Sequence, residues 1–142
     1  MDKINWMEKL GWGEDQLDDL RFTGYAYTRQ GKYDIALDFF RALVILDPEN
    51  IYDAQMLGAI YVELDEPEEA VKALEHALKL EGDHTPALIN LCKALFMLGR
   101  TNEGLKLAKI LQKDKDLNVS SNARALILAF SPLKKKKKKK PS

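Results

Sequence analysis

A repeat of 34 residues constrains the fold of this chain more than any other feature of its sequence. The repeat runs without an insertion from residue 17 to about residue 116. Its matching residues form four columns at this offset: Gly24, Gly58 and Cys92; Tyr27, Tyr61 and Leu95; Ala36, Ala70 and Gly104; and Phe40, Leu74 and Ala108. Self-similarity at a period of about 20 to 50 residues indicates a structure built by stacking copies of one unit. The sequence therefore predicts a solenoid.

The apolar spacing within each unit predicts two amphipathic helices of about 14 residues with a break between them. In the first unit Leu20, Gly24 and Tyr27 share one helical face, and Gly31 is suited to the left-handed backbone that ends a helix. Two helices pass closely where one side chain is nearly absent, which explains the small residues in the Gly24 column. Pro86 fits the first turn of a later helix. We therefore expect an all-α fold.

The segments on either side of the repeat predict a cap at each end. Residues 119–130 form a further helix whose apolar side covers the open end of the third unit, as the terminal parts of solenoids require. The predicted organisation is an N-terminal apolar helical segment (1–13), three helix-turn-helix units (about 17–50, 51–84 and 85–118) followed by a C-terminal capping helix (119–130) within residues 14–130, and a lysine-rich tail (131–142).

The charge of the chain is divided unevenly between two parts. Seven of its 22 basic side chains lie consecutively at Lys134–Lys140, and the remaining 15 face 22 acidic ones, so that residues 1–133 carry a net charge of −7. This acidic body argues against a nucleic-acid-binding domain, because such domains spread positive charge over one folded face. Adjacent lysines repel one another, so we expect a disordered, solvated tail. A weak contact of these lysines with an anionic surface is the alternative.

No segment of the sequence predicts a membrane span or a secretory signal. The longest apolar run, Ala125–Phe130, is far shorter than the roughly 20 residues that cross a bilayer, and the N-terminus has no secretory apolar stretch. Cys92 is the single cysteine and permits no internal disulfide. We expect a soluble cytoplasmic protein.

No combination of residues predicts catalysis, a metal site or a cofactor site. Cys92 stands in a column of small residues, which indicates a buried packing thiol. His76 and His84 have no partner in the sequence that would make either of them an acid, a base or a ligand. The carboxylates from Glu63 to Glu69 lack the alternating ligands and the glycine of a calcium loop. We therefore expect a protein that is not an enzyme.

The first unit carries the pattern of a known repeat. Its glycines, aromatic residues and alanine follow the order Gly24-x-x-Tyr27-x-x-x-Gly31-x-Tyr33-x-x-Ala36-x-x-x-Phe40, closing in Leu46-Asp47-Pro48. This pattern resembles a tetratricopeptide repeat. The second unit departs from it at Gly82, where that family usually has proline, and the third unit is more degenerate. The resemblance implies a tetratricopeptide solenoid.

In a solenoid of helix pairs, the first helix of each pair lines the concave side. The predicted groove residues of the three units are Asp18, Arg21, Tyr25 and Thr28; Tyr52, Gln55, Met56, Ala59 and Val62; and Ile89, Asn90, Lys93, Phe96 and Met97. Units two and three are mostly apolar there, which suits a hydrophobic or amphipathic peptide. The alternative is that several of these side chains pack between repeats or beneath the capping helix.

Tetratricopeptide modules that hold the C-terminal carboxylates of heat-shock proteins do so with lysine, arginine and asparagine side chains. At the corresponding places this chain has Arg21, Tyr25, Met56, Pro86 and Asn90. Only Arg21 supplies a matching charge, so the sequence argues against a carboxylate clamp of that kind.

The whole layout is similar to a narrower group, the class II chaperones of bacterial type III secretion. The shared features are the apolar N-terminal segment, the capping helix, and the run from Tyr33 to Asp47, in which Leu43 departs from the generic repeat as it does in that group. The resemblance implies a bacterial cytoplasmic chaperone that holds an apolar or amphipathic segment of a virulence-related secreted protein before export. That cargo would be a translocator, needle or gate protein. The alternative is a general repeat scaffold or adaptor for protein assembly.

The N-terminal segment leaves two interpretations open. In the class II group this segment often mediates homodimerisation, which would give that role to Trp6, Met7, Leu10 and Trp12. Packing of the same side chains onto the first repeat is the alternative, because apolar end segments must be covered somewhere.

Overall fold

The computed structural model describes residues 4–131, and within that range every regular element is a helix. The predicted lysine tail at Lys134–Lys140 lies outside the described residues. The helices are α1 (Trp6–Leu10), α2 (Glu14–Arg29), α3 (Tyr33–Leu46), α4 (Ile51–Glu63), α5 (Pro67–Leu80), α6 (Thr85–Met97), α7 (Thr101–Leu111) and α8 (Leu117–Phe130). The pairs α2–α3, α4–α5 and α6–α7 stack in order, with α1 before them and α8 after them. The predicted all-α solenoid of three helix pairs with a helix at each end is confirmed.

The three pairs turn in the same way because the same backbone conformation recurs at the 34-residue offset. Gly31, Asp65 and Gly99 all have positive φ angles, of 75°, 60° and 77°. At each turn a backbone amide donates to the carbonyl five residues before it, near the end of the first helix; the first example joins Lys32 N to Tyr27 O at 2.9 Å. This conformation favours glycine, so Asp65 is the one residue with a side chain that adopts it among those described.

Small residues allow the two helices of a pair to approach closely, as the Gly24 column predicts. A Cβ atom on Gly24 would lie 2.9 Å from the ring of Phe40, and one on Gly104 would lie 2.8 Å from the ring of Phe96. Real side-chain atoms do not approach so closely, so a larger residue at either position would push the facing helix away. The repeat's sequence signature is therefore a record of helix contacts.

Helix α8 covers the third pair. It packs on α6 and α7, and Phe130 stacks on Phe96 with ring centroids 4.3 Å apart. Val119 and Ala123 from α8 join Cys92 of α6 in one buried cluster. This helix begins at Leu117, two residues before the predicted start.

Candidate functional site

The first helices of the three pairs form one continuous face. Helix α4 packs directly on α6. Helix α2 joins α4 through side chains, because the guanidinium of Arg21 reaches the carboxylate of Asp53. We use the name groove face for the exposed or half-buried side chains on one side of these helices, which are Phe22, Tyr25, Tyr52, Gln55, Met56, Ala59, Val62, Asn90, Lys93 and Met97.

Large apolar side chains reach the surface on the groove face. Tyr25 is 44% exposed, Tyr52 is 39% exposed and Met97 is 40% exposed. Met56 and Val62, on α4, are half-buried. Each pair of helices thus contributes apolar surface, which is the property that a binding site for an apolar segment needs.

Two predicted groove residues are buried, and the prediction for them is corrected. Ile89 is 8% exposed and Phe96 is 6% exposed. Both belong to the cluster beneath α8, where Phe96 lies between Gly104 and the ring of Phe130. The capping helix therefore covers Ile89 and Phe96, which are part of the apolar surface that the sequence predicted for a ligand at the third repeat.

The prediction for Arg21 is corrected as well, because its hydrogen bonds are used within the chain. Its Nε and Nη2 atoms donate to the two carboxylate oxygens of Asp53, each at 2.8 Å. Nη2 also donates to Asp47 at 2.7 Å, and Nη1 lies 3.4 Å from Asp18. This cluster joins the start of α4 and the end of α3 to α2, so Arg21 acts as a brace between repeats.

The carboxylate of Asp53 is the least exposed charged group in the described part of the chain, at 0%. Burial raises the pKa of Asp53, and the hydrogen bonds from Arg21 oppose that shift. The same hydrogen bonds raise the pKa of Arg21, so the guanidinium stays charged. No pattern in the sequence predicts this pair, because the two residues lie 32 positions apart and look like ordinary surface charges.

Two tyrosines meet where α2 and α4 adjoin. Burial raises the pKa of Tyr52, and nearby Tyr25 and Asp53 raise it further. The Tyr52 ring also meets the edge of Phe40, with centroids 6.2 Å apart. Tyr25 in turn lies beneath the guanidinium of Arg29, 5.9 Å from the ring centroid. The first repeat therefore gives the groove face an aromatic end.

Phe22 belongs to this aromatic end and is absent from the predicted groove residues. It is 77% exposed, the largest fraction among the exposed large apolar side chains. The 34-residue offset places Phe22 in the same column as Met56 and Asn90, which were both predicted groove residues. Extending that column back by one period would have found it.

The third repeat gives the groove face a polar end. Lys93 is half-buried on α6, one period after Ala59 and two after Tyr25. No carboxylate within residues 4–131 lies within ion-pair distance of its ammonium group. The amide of Asn90 donates to the carbonyl of Pro86 at 3.0 Å. Aromatic, apolar and cationic side chains thus follow one another along the face.

The N-terminal segment is only partly covered by its own chain. Met7 packs on the core formed by α2, α3 and α4, and Trp12 is half-buried. Trp6 is 43% exposed and Leu10 is 49% exposed. A cleft beside Trp6 is completed by Ile45 and other residues at the end of α3. The segment therefore leaves apolar surface open to a partner.

A second cleft lies between α3 and α5, with α4 as its floor. Its volume is about 240 Å³, and its apolar lining includes Val44, Leu57 and Tyr61. At its rim a ring nitrogen of His76 lies 2.7 Å from the carbonyl oxygen of Pro48. This cleft is formed mainly by second helices of the pairs, so it lies apart from the groove face.

Residues considered for chemistry are placed in structural roles. Cys92 is buried, its thiol lies 3.5 Å from the carbonyl of Gly104, and burial raises its pKa to about 11. His84 pairs with Glu81 at 2.7 Å on the surface. Within residues 4–131, no three histidine, cysteine or carboxylate side chains are grouped so as to hold a metal ion. The helices described are also too short or too polar to cross a membrane.

Comparison with known proteins identifies the repeat. Residues 61–127 match the tetratricopeptide repeat family model. No curated protein sequence matches the chain significantly. The match to the family model covers the later part of the repeat array, from within α4 through α7, and most of α8.

Three solved structures illustrate what the fold is similar to. PcrH, in complex with the chaperone binding region of PopD, is 23% identical with a TM-score of 0.76, covering 87% of this chain and 97% of that chain. The type III secretion translocator chaperone SycD of Yersinia enterocolitica is 20% identical with a TM-score of 0.77, and the match covers 87% of this chain and 88% of SycD. The first tetratricopeptide domain of Spaghetti (RPAP3), bound to an HSP90 peptide, is 24% identical with a TM-score of 0.71, covering 82% and 94%. The predicted resemblance to translocator chaperones is confirmed at the level of the fold.

Proposed function

We propose that this protein is a non-catalytic chaperone that holds an apolar or amphipathic segment of a type III secretion substrate on its groove face. The observation that carries the proposal is the exposed apolar surface of Phe22, Tyr25, Tyr52, Met56 and Met97 on a fold like that of PcrH and SycD. PcrH has been solved with the chaperone binding region of PopD, and SycD with a peptide of the translocator YopD. The cargo would be a translocator, needle or gate protein, bound in the bacterial cytoplasm before export.

Such a chaperone needs no chemistry. It lowers the free concentration of an aggregation-prone segment by mass action, and micromolar affinity is enough where both partners are abundant. The net charge of −7 over residues 1–133 favours basic flanks on the cargo and disfavours nucleic acid.

A homodimer through the N-terminal segment is part of the proposal. Trp6 and Leu10 are the exposed members of the predicted set, and Trp6 lies beside the cleft that Ile45 completes. One crystal structure of SycD is that of an alternative dimer. Substitution of Trp6 and Leu10 by serine would convert a dimer to a monomer in analytical ultracentrifugation; an unchanged sedimentation coefficient would assign this surface to another role.

The main experiment selects peptides of about 16 residues from a random display library, a length that spans the three first helices when extended. Selected peptides should lose at least about tenfold in affinity for the double variant Phe22→Glu/Tyr25→Glu, because buried unpaired carboxylates cost more than 1.4 kcal/mol. The matched control is Ile35→Glu/Ile110→Glu, which changes two exposed apolar residues on second helices. Circular dichroism checks that both variants keep their helix content.

The groove assignment fails if the selected peptides bind both double variants equally, or if no peptide is enriched. Enrichment that depends on Phe22 and Tyr25 supports it.

The second candidate function is a scaffold or adaptor that joins partners through other surfaces. The cleft lined by Val44, Leu57 and Tyr61 favours it, because it offers apolar surface between α3 and α5, apart from the groove face. Ala73 also lines this cleft, so Ala73→Arg would abolish partner binding under this function and leave binding at the groove face unchanged.

A further inference from the structure

Lys93 of α6 is the one cation among the side chains that define the groove face, so the charge of this face is uneven. Resting on the function proposed above, we propose that Lys93 recognises the side-chain carboxylate of an aspartate or glutamate in the bound segment. That acidic residue would lie about five or six residues from an apolar anchor held by Phe22 and Tyr25.

The surroundings of Lys93 make its charge available and effective. Ile89 and Phe96, one turn before and after it on α6, are buried, and Met97 beside them is apolar. The ammonium group has no carboxylate partner within the described residues. A half-buried charge beside apolar side chains is screened less than an exposed one, so a carboxylate brought there by a ligand is attracted more strongly.

The spacing follows from the geometry of stacked helices. Adjacent packed helices lie about 8 to 10 Å apart, so α2 and α6, with α4 between them, are separated by about 16 to 20 Å. An extended chain advances about 3.3 Å per residue, so it crosses that distance in five or six residues. Phe22 and Tyr25 at the first repeat and Lys93 at the third would thus engage two residues of one segment.

A side-chain carboxylate fits this site better than the carboxylate at the end of a chain. Clamps for chain ends draw on cations from more than one repeat. Here the other candidate, Arg21, already donates to Asp53 and Asp47. Lys93 alone provides one attachment point, which is enough to set the position of a segment whose affinity comes from apolar contacts.

The test uses a display library of amidated peptides in which one leucine or phenylalanine is fixed and all other positions are random. Against the unaltered protein, acidic residues should be enriched five or six positions from the anchor, on either side. Against Lys93→Met this preference should disappear, and against Lys93→Glu it should become a preference for basic residues. Lys109→Met, at an exposed lysine on α7, is the matched control and should keep the acidic preference.

Individual peptides from the selection then give the size of the effect by fluorescence anisotropy. Replacing the selected glutamate by glutamine should weaken binding about fivefold for a half-exposed ion pair, and the difference should shrink at about 0.5 M NaCl. For Lys93→Met the two peptides should bind equally.

The outcomes separate this inference from the proposed function. Selected peptides that bind the groove face without an acidic preference, or whose preference survives in Lys93→Met, overturn the role of Lys93 and leave the peptide-binding function standing. A parallel library carries free C-termini. If peptides are enriched only from that library, through their terminal carboxylate, the role of Lys93 in recognising a side-chain carboxylate is also overturned. Failure to enrich any peptide overturns both.

Discussion

The two junctions between the three repeats are built from different chemistry. Between repeats one and two, a charged cluster centred on Arg21 and Asp53 lies beside large apolar side chains such as Phe40 and Ile60. Between repeats two and three, α4, α5 and α6 meet through a cluster whose fully buried residues are mainly alanines, including Ala87. Both junctions join successive units of one repeat. The repeat pattern therefore determines that the units stack, but it does not determine which contacts hold them together.

The difference matters because the two kinds of contact fail in different ways. A bidentate arginine–carboxylate pair is directional, and removing one partner leaves the other buried and uncompensated. An alanine contact has no direction, and it fails when the side chain becomes larger. Substitutions at each junction therefore test whether the comparison holds.

The largest expected effect is that of Asp53→Ala. The change removes the bidentate partner of the Arg21 guanidinium and leaves Asp47 as its remaining close partner, so the free energy of unfolding should fall by about 3 kcal/mol, the lower end of the loss for a broken buried pair. Urea titration followed by circular dichroism measures it. The double variant Arg21→Met/Asp53→Leu removes both charges and should recover most of that loss. Equal losses in the single and double variants would show that packing, rather than the charge pair, holds this junction.

The alanine junction should respond to added volume. Ala87 is 0% exposed on α6, so Ala87→Leu should lower the free energy of unfolding by about 2 to 3 kcal/mol. Ala125→Leu, at an exposed position of α8, is the control and should leave the urea midpoint unchanged. A neutral result for Ala87→Leu would mean that this junction adjusts by moving α6.

Cys92 reports on the core beside that junction. Burial raises its pKa to about 11, so the folded state loses stability as the pH rises from the thiol's ordinary pKa through that value. We expect the free energy of unfolding to fall by about 1 to 2 kcal/mol more between pH 8 and pH 11 than in Cys92→Ala. Alkylation of the native thiol at pH 8 should be correspondingly slow. Rapid alkylation without unfolding would place the thiol at the surface.

The smallest effect is expected for the ion pair between Arg100 and Glu103. Its geometry is good, with Nε to Oε2 at 2.7 Å, but both side chains are about half exposed to solvent. Solvent screening removes most of the attraction, so Arg100→Ala should leave the urea midpoint unchanged. A clear loss would indicate that geometry rather than burial decides which charged pairs matter in this protein.

The repeat pattern predicted the fold because it records helix contacts that recur. Gly24 meets Phe40, and Gly58 meets Leu74, at equivalent places, and both signals are visible at the 34-residue offset. The Arg21–Asp53 pair occurs once, so no period reveals it. A charged residue in a helix gives no sign in sequence of whether its partner comes from a neighbouring repeat.

The candidate site was predicted less completely than the fold. The helical register placed Tyr25, Tyr52, Met56 and Met97 on a face that the structure leaves accessible. The same register could not distinguish Phe96 from them, because its burial depends on α8, which lies outside the repeat.

The contrast between the junctions has a mechanical consequence. The directional hydrogen bonds of Arg21 resist rotation of α2 against α4, whereas the short side chains between α4 and α6 allow small sliding movements of packed helices. Changes in curvature should therefore concentrate between the second and third repeats. The aromatic end of the groove face would therefore keep its position when a ligand binds. The end that carries Lys93 would move to fit the thickness of the bound segment.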